Sequence, residues 1–372
     1  MKIYNKSIEE YISTHIDSTI VVFGAGEMFR LLIAGVLNPI KERIAYVIDN
    51  SGISTATAWD CEYQVFRPEK VQSEKKCSII ISSSVYMSEM YNQLESLNLS
   101  DEIECSFYPF MMLAERNNYR IEDIYPVEQR NSSERIPRII HSFWFSGDKK
   151  PPEYQSCVDT WKRYCLDYEI KEWNKENYDW QKNHFVRKAV EERAWAFASD
   201  FARLDVVLEY GGVYLDMDVE LVKKLDILLK NKAFFNFSDM GTVDLAAFGA
   251  EKGDEFIRNL LKVYDGIPVP ENKEDFRKCY QPLLLMEAFM IQGIRPDGRL
   301  LRKDGRVFLP RECMYPKDAT LYDTIDIGEC TFAIHQINAG WKGSEDYGMK
   351  KADRNRALYN RVIDPSRNFT NQ

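Results

Sequence analysis

The chain has 372 residues, more than a typical single domain and enough for two. Lysine and arginine (49) are outnumbered by aspartate and glutamate (58), so the net charge is −9, which is not typical of nucleic-acid-binding proteins. The sequence has no run of about 18 apolar residues and no signal-peptide core. Its eight cysteines show no Cys-x-x-Cys spacing. We therefore expect a cytoplasmic protein with reduced thiols and no structural zinc.

The first predicted elements alternate between strand and helix. The segment "TIVVFGAGEMFRLLIAGVL" is a strand, a glycine turn and an amphipathic helix, and "RIAYVIDN" and "KCSIIISSS" are two further strands. This alternation predicts a small Rossmann-like parallel sheet over residues 1–114. Residues 115–135 are polar and weakly periodic, which predicts a linker.

The glycine turn of the first region begins like a dinucleotide-binding fingerprint. Gly24 and Gly26 match it, but Phe29 stands where the third glycine belongs, and Asp49 ends the next strand near the position of a ribose-binding acid. Two interpretations stay open: a structural domain of nucleotide-binding ancestry, or a domain that binds a dinucleotide.

A second alternating region follows, over residues 136–372. The segments "IPRIIHSFWF" and "YEIKEWN" read as strands, and two helical stretches follow around 184–197 and 199–210. Gly211 and Gly212 come where a helix should end. The segment "VYLDMD" is then predicted to be a strand, so we expect a second α/β domain here.

Two acidic side chains stand at the end of that predicted strand. Asp216 and Asp218 are two positions apart, so in an extended chain they project to the same side. Two close carboxylates repel each other unless a cation or hydrogen-bond donors lie between them. Oxygen ligands suit Mg²⁺ or Mn²⁺, and the apolar neighbours make a merely solvated pair a poor interpretation.

The preceding helix adds a further polar pair. Asp200 and Arg203 are three residues apart, which is the spacing of an ordinary helix salt bridge. The alternative is that Arg203 supplies a fork of donors for phosphate or sugar hydroxyls while Asp200 accepts a hydrogen bond from a hydroxyl. Both interpretations stay open at this point.

The segment "ASDFARLDVVLEYGGVYLDMD" resembles the signature of glycosyltransferases with a DXD sugar-binding motif. These include the family 32 enzymes of bacterial capsule synthesis and the yeast Golgi mannosyltransferases. "IPRIIHSFWFSG" resembles the opening strand of that family, and "FAIHQINAGWKG" resembles its closing motif. The resemblance extends over residues 136–345.

The resemblance implies an A-type glycosyltransferase fold, that is, a nucleotide-binding α/β domain. It implies a retaining transfer with Mn²⁺ or Mg²⁺, from a UDP-sugar in preference to GDP-mannose. The acceptor would be a glycan or lipid-linked saccharide in surface polysaccharide synthesis. The enzyme could then lie peripherally on the inner face of the membrane.

The resemblance also implies roles for particular residues. Asp218 should bind the metal, and Asp216 should face the ribose and donor sugar or reach the metal through water. Asp200 and Arg203 should hold the donor sugar, and His335 should contact the metal or the diphosphate. The remaining positions implied to lie around the nucleotide are Phe143, Trp144, Ser199, Tyr214, Trp341 and Lys342.

The sequence departs from the family at one place and leaves two other functions open. Several relatives have a glycine–proline pair where this chain has Gln281 and Pro282. An NAD-dependent oxidoreductase that uses the first domain is one alternative, and a non-catalytic carbohydrate-binding protein is the other. His141, on an apolar strand, is interpreted as a packed histidine.

Overall fold

The computed structural model describes residues 1–115, 119–126, 132–317, 320–321, 327–337 and 345–363. The chain divides into two compact units. The first comprises Met1–Asn118, Asp318–Asp323 and Ser344–Gln372, and the second comprises Tyr119–Lys317 and Thr324–Gly343. Each unit contains one large sheet, so the predicted α/β class is confirmed.

The strands, in chain order, are β1 (Lys2–Ile3), β2 (Ile20–Phe23), β3 (Ile44–Ile48), β4 (Thr55–Ala58), β5 (Cys61–Phe66), β6 (Cys77–Ile81), β7 (Ile103–Phe107), β8 (Ile139–Phe143), β9 (Glu169–Trp173), β10 (Gly212–Leu215), β11 (Val219–Leu221), β12 (Ala233–Phe237), β13 (Val243–Ala250), β14 (Leu301–Lys303), β15 (Arg306–Leu309) and β16 (Ala333–His335). The helices are α1 (Ile8–Thr14), α2 (Glu27–Ala34), α3 (Met87–Ser96), α4 (Tyr108–Ala114), α5 (Ile121–Ile124), α6 (Pro152–Tyr164), α7 (His184–Glu191), α8 (Trp195–Tyr210), α9 (Glu255–Leu261), α10 (Val263–Gly266), α11 (Gln281–Leu284), α12 (Met286–Ile291) and α13 (Glu345–Val362).

The sheet of the first unit has the order β1-β7-β6-β2-β3-β5-β4. All its neighbouring strands are parallel except β4 and β5, which form an antiparallel pair. The strands β2 and β6 are completely buried, as their continuous apolar sequences predict for a parallel sheet covered on both faces. The predicted Rossmann-like parallel sheet is therefore present.

Side chains of the first unit fill the space around its glycine turn. Gly24 has a φ of +107°, and a Cβ there would lie 2.5 Å from Oγ of Ser82, so only glycine fits. The backbone N–H of Ala25 donates to Oδ2 of Asp49 at 2.8 Å. Phe29 is fully buried against Tyr63, so the aromatic ring at the third glycine position is part of the core.

The helix α13 belongs to the first unit, although the sequence analysis placed its residues in the catalytic domain. Leu358 lies in the same apolar cluster as the sheet residues of the first unit, and the ring of Tyr359 is 5.1 Å from that of Phe110. Arg361 forms an ion pair with Glu95 at 2.8 Å. An amphipathic helix carries no local signal that says which core it will cover, so its position could not be read from the sequence.

The sheet of the second unit has the order β14-β15-β12-β13-β10-β8-β9 and is mixed. The strand β10 pairs in parallel with β8 and antiparallel with β13. Alternate residues of the strands enter different cores: Tyr214 packs in the core that contains α7 and α8, and Val213 and Leu215 pack in the core that contains Trp161 of α6. This alternation buries both faces of the central strands.

Two glycines join α8 to β10 because the chain is crowded there. Gly211 ends α8 with a φ of +68°. Gly212 has a φ of +116°, and a Cβ on it would lie 2.7 Å from the carbonyl oxygen of Ile139 and 2.9 Å from Nε2 of His141. Gly211 therefore allows the helix to end, and Gly212 allows β10 to approach β8 closely.

A separate two-stranded antiparallel ladder joins β11 to β16. Val219 is opposite His335, and the backbone N–H of Gln336 donates to the carbonyl oxygen of Asp218 at 2.9 Å. This ladder brings residues more than a hundred positions apart in sequence to the end of β10.

Among the helices that the structure describes, none is long and apolar enough to cross a membrane.

Candidate active site

The acidic pair lies just beyond β10, at a turn. The N–H of Asp216 donates to the carbonyl oxygen of Ala246 at 2.8 Å, and the N–H of Val219 donates back to the carbonyl oxygen of Asp216 at 3.0 Å. The strand ends at Leu215, so the predicted extended conformation through Asp218 is wrong. The turn still keeps the two carboxylates together, because it folds around them before β11 begins.

Arg203 of α8 is enclosed by the protein. Its side chain is 7% exposed, and Nη2 lies 3.1 Å from Oδ1 of Asp200 and 3.2 Å from Oδ1 of Asp216. Nε donates to the carbonyl oxygen of Ser199 at 3.2 Å, and Nη1 donates to that of Leu245 at 3.0 Å. The guanidinium thus links the two aspartates, and few of its five N–H groups are left for a ligand.

Tyr214 and Ser199 support this arrangement from inside. The hydroxyl of Tyr214 donates to Oδ1 of Asp216 at 2.6 Å, and the Tyr214 ring lies beneath Arg203, with the guanidinium carbon 4.8 Å from its centre. The Ser199 hydroxyl accepts a long hydrogen bond from Nη2 of Arg203 at 3.4 Å. Tyr214 is buried and faces the aspartate, so its position suits holding Asp216 in place.

Burial dominates the electrostatics of the two linked aspartates. It raises the pKa of Asp200 to about 7 against the opposing effect of Arg203. Burial also raises the pKa of Asp216, and the charge of Arg203 again opposes the shift. Arg203 is therefore the partner charge that favours the ionised form of both buried carboxylates, and pKa shifts of this kind are frequent at functional sites.

Asp218 faces His335. Nε2 of His335 lies 3.4 Å from Oδ1 of Asp218, and both side chains are largely buried. Burial is the largest single influence and would lower the pKa of His335, but Asp218, Asp244 and Asp216 together outweigh it and raise this pKa to about 9. Nδ1 of His335 is buried and has no hydrogen-bond partner within the described part of the chain.

Asp216, Asp218 and His335 fit a divalent cation. Each offers one ligand atom, and the three atoms lie within 4.8 Å of one another. Atoms bound to one ion at about 2.0–2.5 Å lie at most about 5 Å apart, so only small movements would close the shell. Two carboxylates and an imidazole suit Mn²⁺, whereas Mg²⁺ favours oxygen ligands alone.

The other residues that the resemblance pointed to have different surroundings. Phe143 is only 6% exposed, and its ring stacks on Phe145 at 4.9 Å inside the core. Trp144 is partly exposed at a cleft of about 670 Å³, where its indole N–H donates to the carbonyl oxygen of Asp148 at 2.7 Å. Trp341 and Lys342 lie outside the described residues.

The sequence analysis gave no role in the site to three residues that lie at or next to the cluster. The charge of Asp244 raises the pKa of both Asp200 and His335, which places it beside the cluster. Tyr154 lies near the acidic pair, since Asp218 is the main charge acting on its hydroxyl. Gln281 donates to the backbone of Asp200. Only the pairing of β10 with β13 could have pointed to Asp244, and no local pattern marks the other two.

Comparison with known proteins identifies the region around these residues. Residues 151–235 match the family model described as "Glycosyltransferase sugar-binding region containing DXD motif". The chain is 29% identical over 158 residues to inositol phosphoceramide mannosyltransferase 3 of Schizosaccharomyces pombe, covering 40% of this chain and 42% of that protein. It is also 29% identical over 112 residues to inositol phosphoceramide mannosyltransferase 1 of the same yeast, covering 27% and 34%.

A solved structure of the PaToxG glycosyltransferase aligns with 43% of this chain and 71% of its own, at 14% identity and a TM-score of 0.32. The chain spans well under half the length of the two yeast relatives. The matched region contains Asp200, Arg203, Asp216 and Asp218. The expected resemblance to DXD-motif glycosyltransferases is confirmed for the region over residues 151–235.

Proposed function

We propose that the chain is a metal-dependent glycosyltransferase that moves a sugar from a nucleotide-diphosphate donor to a glycan or lipid-linked acceptor. The observation that carries this proposal is the cluster of Asp216, Asp218 and His335 at the end of β10, inside or beside the matched sugar-binding region. A cluster of three ligand atoms next to a buried Asp–Arg–Asp chain is suited to a ligand that carries both phosphates and hydroxyls.

Asp216, Asp218 and His335 are the residues that would hold the cation. The ion, when bound, would supply positive charge to the departing diphosphate. Asp200 would accept hydrogen bonds from hydroxyls of the donor sugar. Arg203 links Asp200 and Asp216 through one guanidinium nitrogen, so its main role is to position these acids. Direct contact with the sugar is a lesser role.

The donor and acceptor are inferred from chemistry and from the relatives' names. Trp144 stands at a cleft large enough for a nucleoside, and its indole face suits a base. The resemblance in sequence favours a UDP-sugar as donor. The yeast relatives are named mannosyltransferases, so GDP-mannose should be tested alongside the UDP-sugars. Retention of the anomeric configuration, a cytoplasmic location and a role in surface polysaccharide synthesis are part of the same proposal.

The test is a screen of UDP-glucose, UDP-galactose, UDP-N-acetylglucosamine and GDP-mannose for thermal stabilisation and hydrolysis with Mn²⁺. We expect one nucleotide class to raise the melting temperature only when the metal is present. Asp218→Asn should remove both effects without unfolding the protein. Asp159→Asn, which changes an exposed acid of α6, is the matched control. Metal-dependent hydrolysis by Asp218→Asn would contradict the metal assignment.

A further inference from the structure

Gln281 is a buried polar residue at the start of α11, and its side-chain amide has two partners. Its exposed fraction is 4%. Nε2 donates to the backbone carbonyl oxygen of Asp200 at 2.6 Å and to the hydroxyl of Tyr264 at 2.7 Å. An amide nitrogen has two N–H groups, so both donors are used within the protein.

These bonds join three helices that are distant in sequence. Asp200 lies in α8, Tyr264 lies in α10 and is fully buried, and Gln281 begins α11. The bond to α8 reaches the backbone and leaves the Asp200 carboxylate free to face Arg203. The amide therefore fixes where this turn of α8 stands, without entering the site itself.

We propose that Gln281 is a positioning residue of the donor-sugar site. Its amide ties the helical turn that carries Asp200 to α10 and α11, and thereby fixes where the Asp200 carboxylate, which faces Arg203, lies within the site. Both N–H groups of the amide are used on the Asp200 carbonyl oxygen and the Tyr264 hydroxyl, so the side chain acts on the site through the turn that carries Asp200. This inference rests on the proposed role of Asp200 in binding the donor sugar.

The test compares Gln281→Met with Gln292→Met. Methionine keeps the length of the side chain and removes both donors. Gln292 is a matched control because its amide also makes two hydrogen bonds in the second unit, to Ala288 and Asn259, away from Asp200. Binding of UDP-glucose, UDP, GDP-mannose and GDP is measured by calorimetry with Mn²⁺.

We expect Gln281→Met to weaken binding of the sugar nucleotide about tenfold, the loss typical of one misplaced hydrogen bond, while the nucleotide diphosphate binds within about twofold of its former affinity. In an Asp200→Ala background the same change should cost almost nothing more, because residues that act through one another are not additive. Equal losses for both ligands, or full additivity with Asp200→Ala, would overturn the proposal.

Amide hydrogen exchange, measured on the protein without any ligand, is a second test of the proposal. Gln281→Met should speed exchange in α8 relative to Gln292→Met, and unchanged exchange in α8 would also overturn the proposal. If the unaltered protein binds no sugar nucleotide, the proposed function fails. The exchange experiment then decides by itself whether Gln281 holds the Asp200 turn.

Discussion

Arg203 and Asp216 form a direct ion pair, and the carboxylate oxygen that Arg203 approaches at 3.2 Å also accepts the 2.6 Å hydrogen bond from Tyr214. The same guanidinium nitrogen lies 3.1 Å from Asp200. One buried cation thus fixes two acids that come from different elements, α8 and the turn after β10. The geometry of the site depends on this cation before any ligand arrives.

Replacing Arg203 by lysine should therefore disrupt both stability and binding. A single ammonium group cannot reach Asp200, Asp216 and the carbonyl oxygen of Leu245 together. We expect the free energy of unfolding to fall by about 3 kcal/mol, the cost of breaking a buried pair. Urea unfolding measures this, with the exposed Arg163→Lys as control. A change below about 1 kcal/mol, the range of surface pairs, would show that the network is not coupled to the fold.

Tyr214→Phe removes one hydroxyl and keeps the ring beneath Arg203. A hydrogen bond to a charged group contributes about 1.5–3 kcal/mol, so unfolding should become easier by that amount and Mn²⁺ should bind more weakly. Calorimetric titration with Mn²⁺ measures the second effect. Tyr86→Phe, at a residue that is 63% exposed in the first unit, is the control. Unaltered Mn²⁺ affinity would remove Asp216 from the metal site.

Gly212→Ala should be poorly tolerated. The new Cβ would lie 2.7 Å from the carbonyl oxygen of Ile139 on a residue with positive φ. We expect a loss of about 2–4 kcal/mol from overpacking and the unfavourable backbone conformation. Gly266→Ala has open space around it and should change stability by less than about 1 kcal/mol. Thermal unfolding of both variants measures the difference, and similar melting temperatures would contradict the crowding argument.

His141 should make stability fall in acid. Burial lowers the pKa of His141 to about 4, while Nε2 bonds to the carbonyl oxygen of Gly211 at 2.8 Å and Nδ1 accepts from the indole of Trp173 at 3.0 Å. The unfolded chain takes up this proton near pH 6.5, so between pH 6.5 and pH 4 it binds more protons than the folded chain. The stabilisation by neutral His141 is present above pH 6.5 and is lost as the pH falls toward 4.

His141→Phe isolates this effect from that of other acids. The difference in free energy of unfolding between the unaltered protein and the variant should shrink by about 3 kcal/mol from pH 7 to pH 4. This figure is the fall in the pKa of His141 multiplied by about 1.4 kcal/mol per pKa unit. Denaturant unfolding at a series of pH values gives the two curves. A difference that does not vary with pH would mean that His141 titrates normally.

The first unit should not bind NADH through its glycine turn. A phosphate there would have to displace the Asp49 carboxylate from the Ala25 N–H. We expect no saturable change in NADH fluorescence. Asp49→Ala should lower the free energy of unfolding by about 1–2 kcal/mol, because it frees the N–H groups of both Ala25 and Ser51. Tight NADH binding by the unaltered chain would revive the oxidoreductase alternative.

Local patterns were enough to predict both sheets and the acidic pair. The apolar strands β2, β3 and β6 and the glycines after α8 are signals carried by neighbouring residues. The contribution of Gln281 to the Asp200 turn depends on a hydrogen bond across 81 positions, and the approach of Asp244 depends on strand pairing. Such long-range contacts are set by tertiary packing, so no window of sequence reveals them.

The packing of α13 on the first unit has a practical consequence for dissecting the protein. A fragment that starts at residue 136 and runs to the last residue would keep this helix but lose the sheet that covers Leu358 and Tyr359. Exposed apolar side chains of that kind favour aggregation. The N-terminal sheet expressed without residues 345–363 would in turn lack part of its covering. Separating the two units therefore requires joining the terminal helix to the N-terminal piece. The segment Asp318–Asp323, which also belongs to the first unit, interrupts the second and has to be replaced in the isolated second unit.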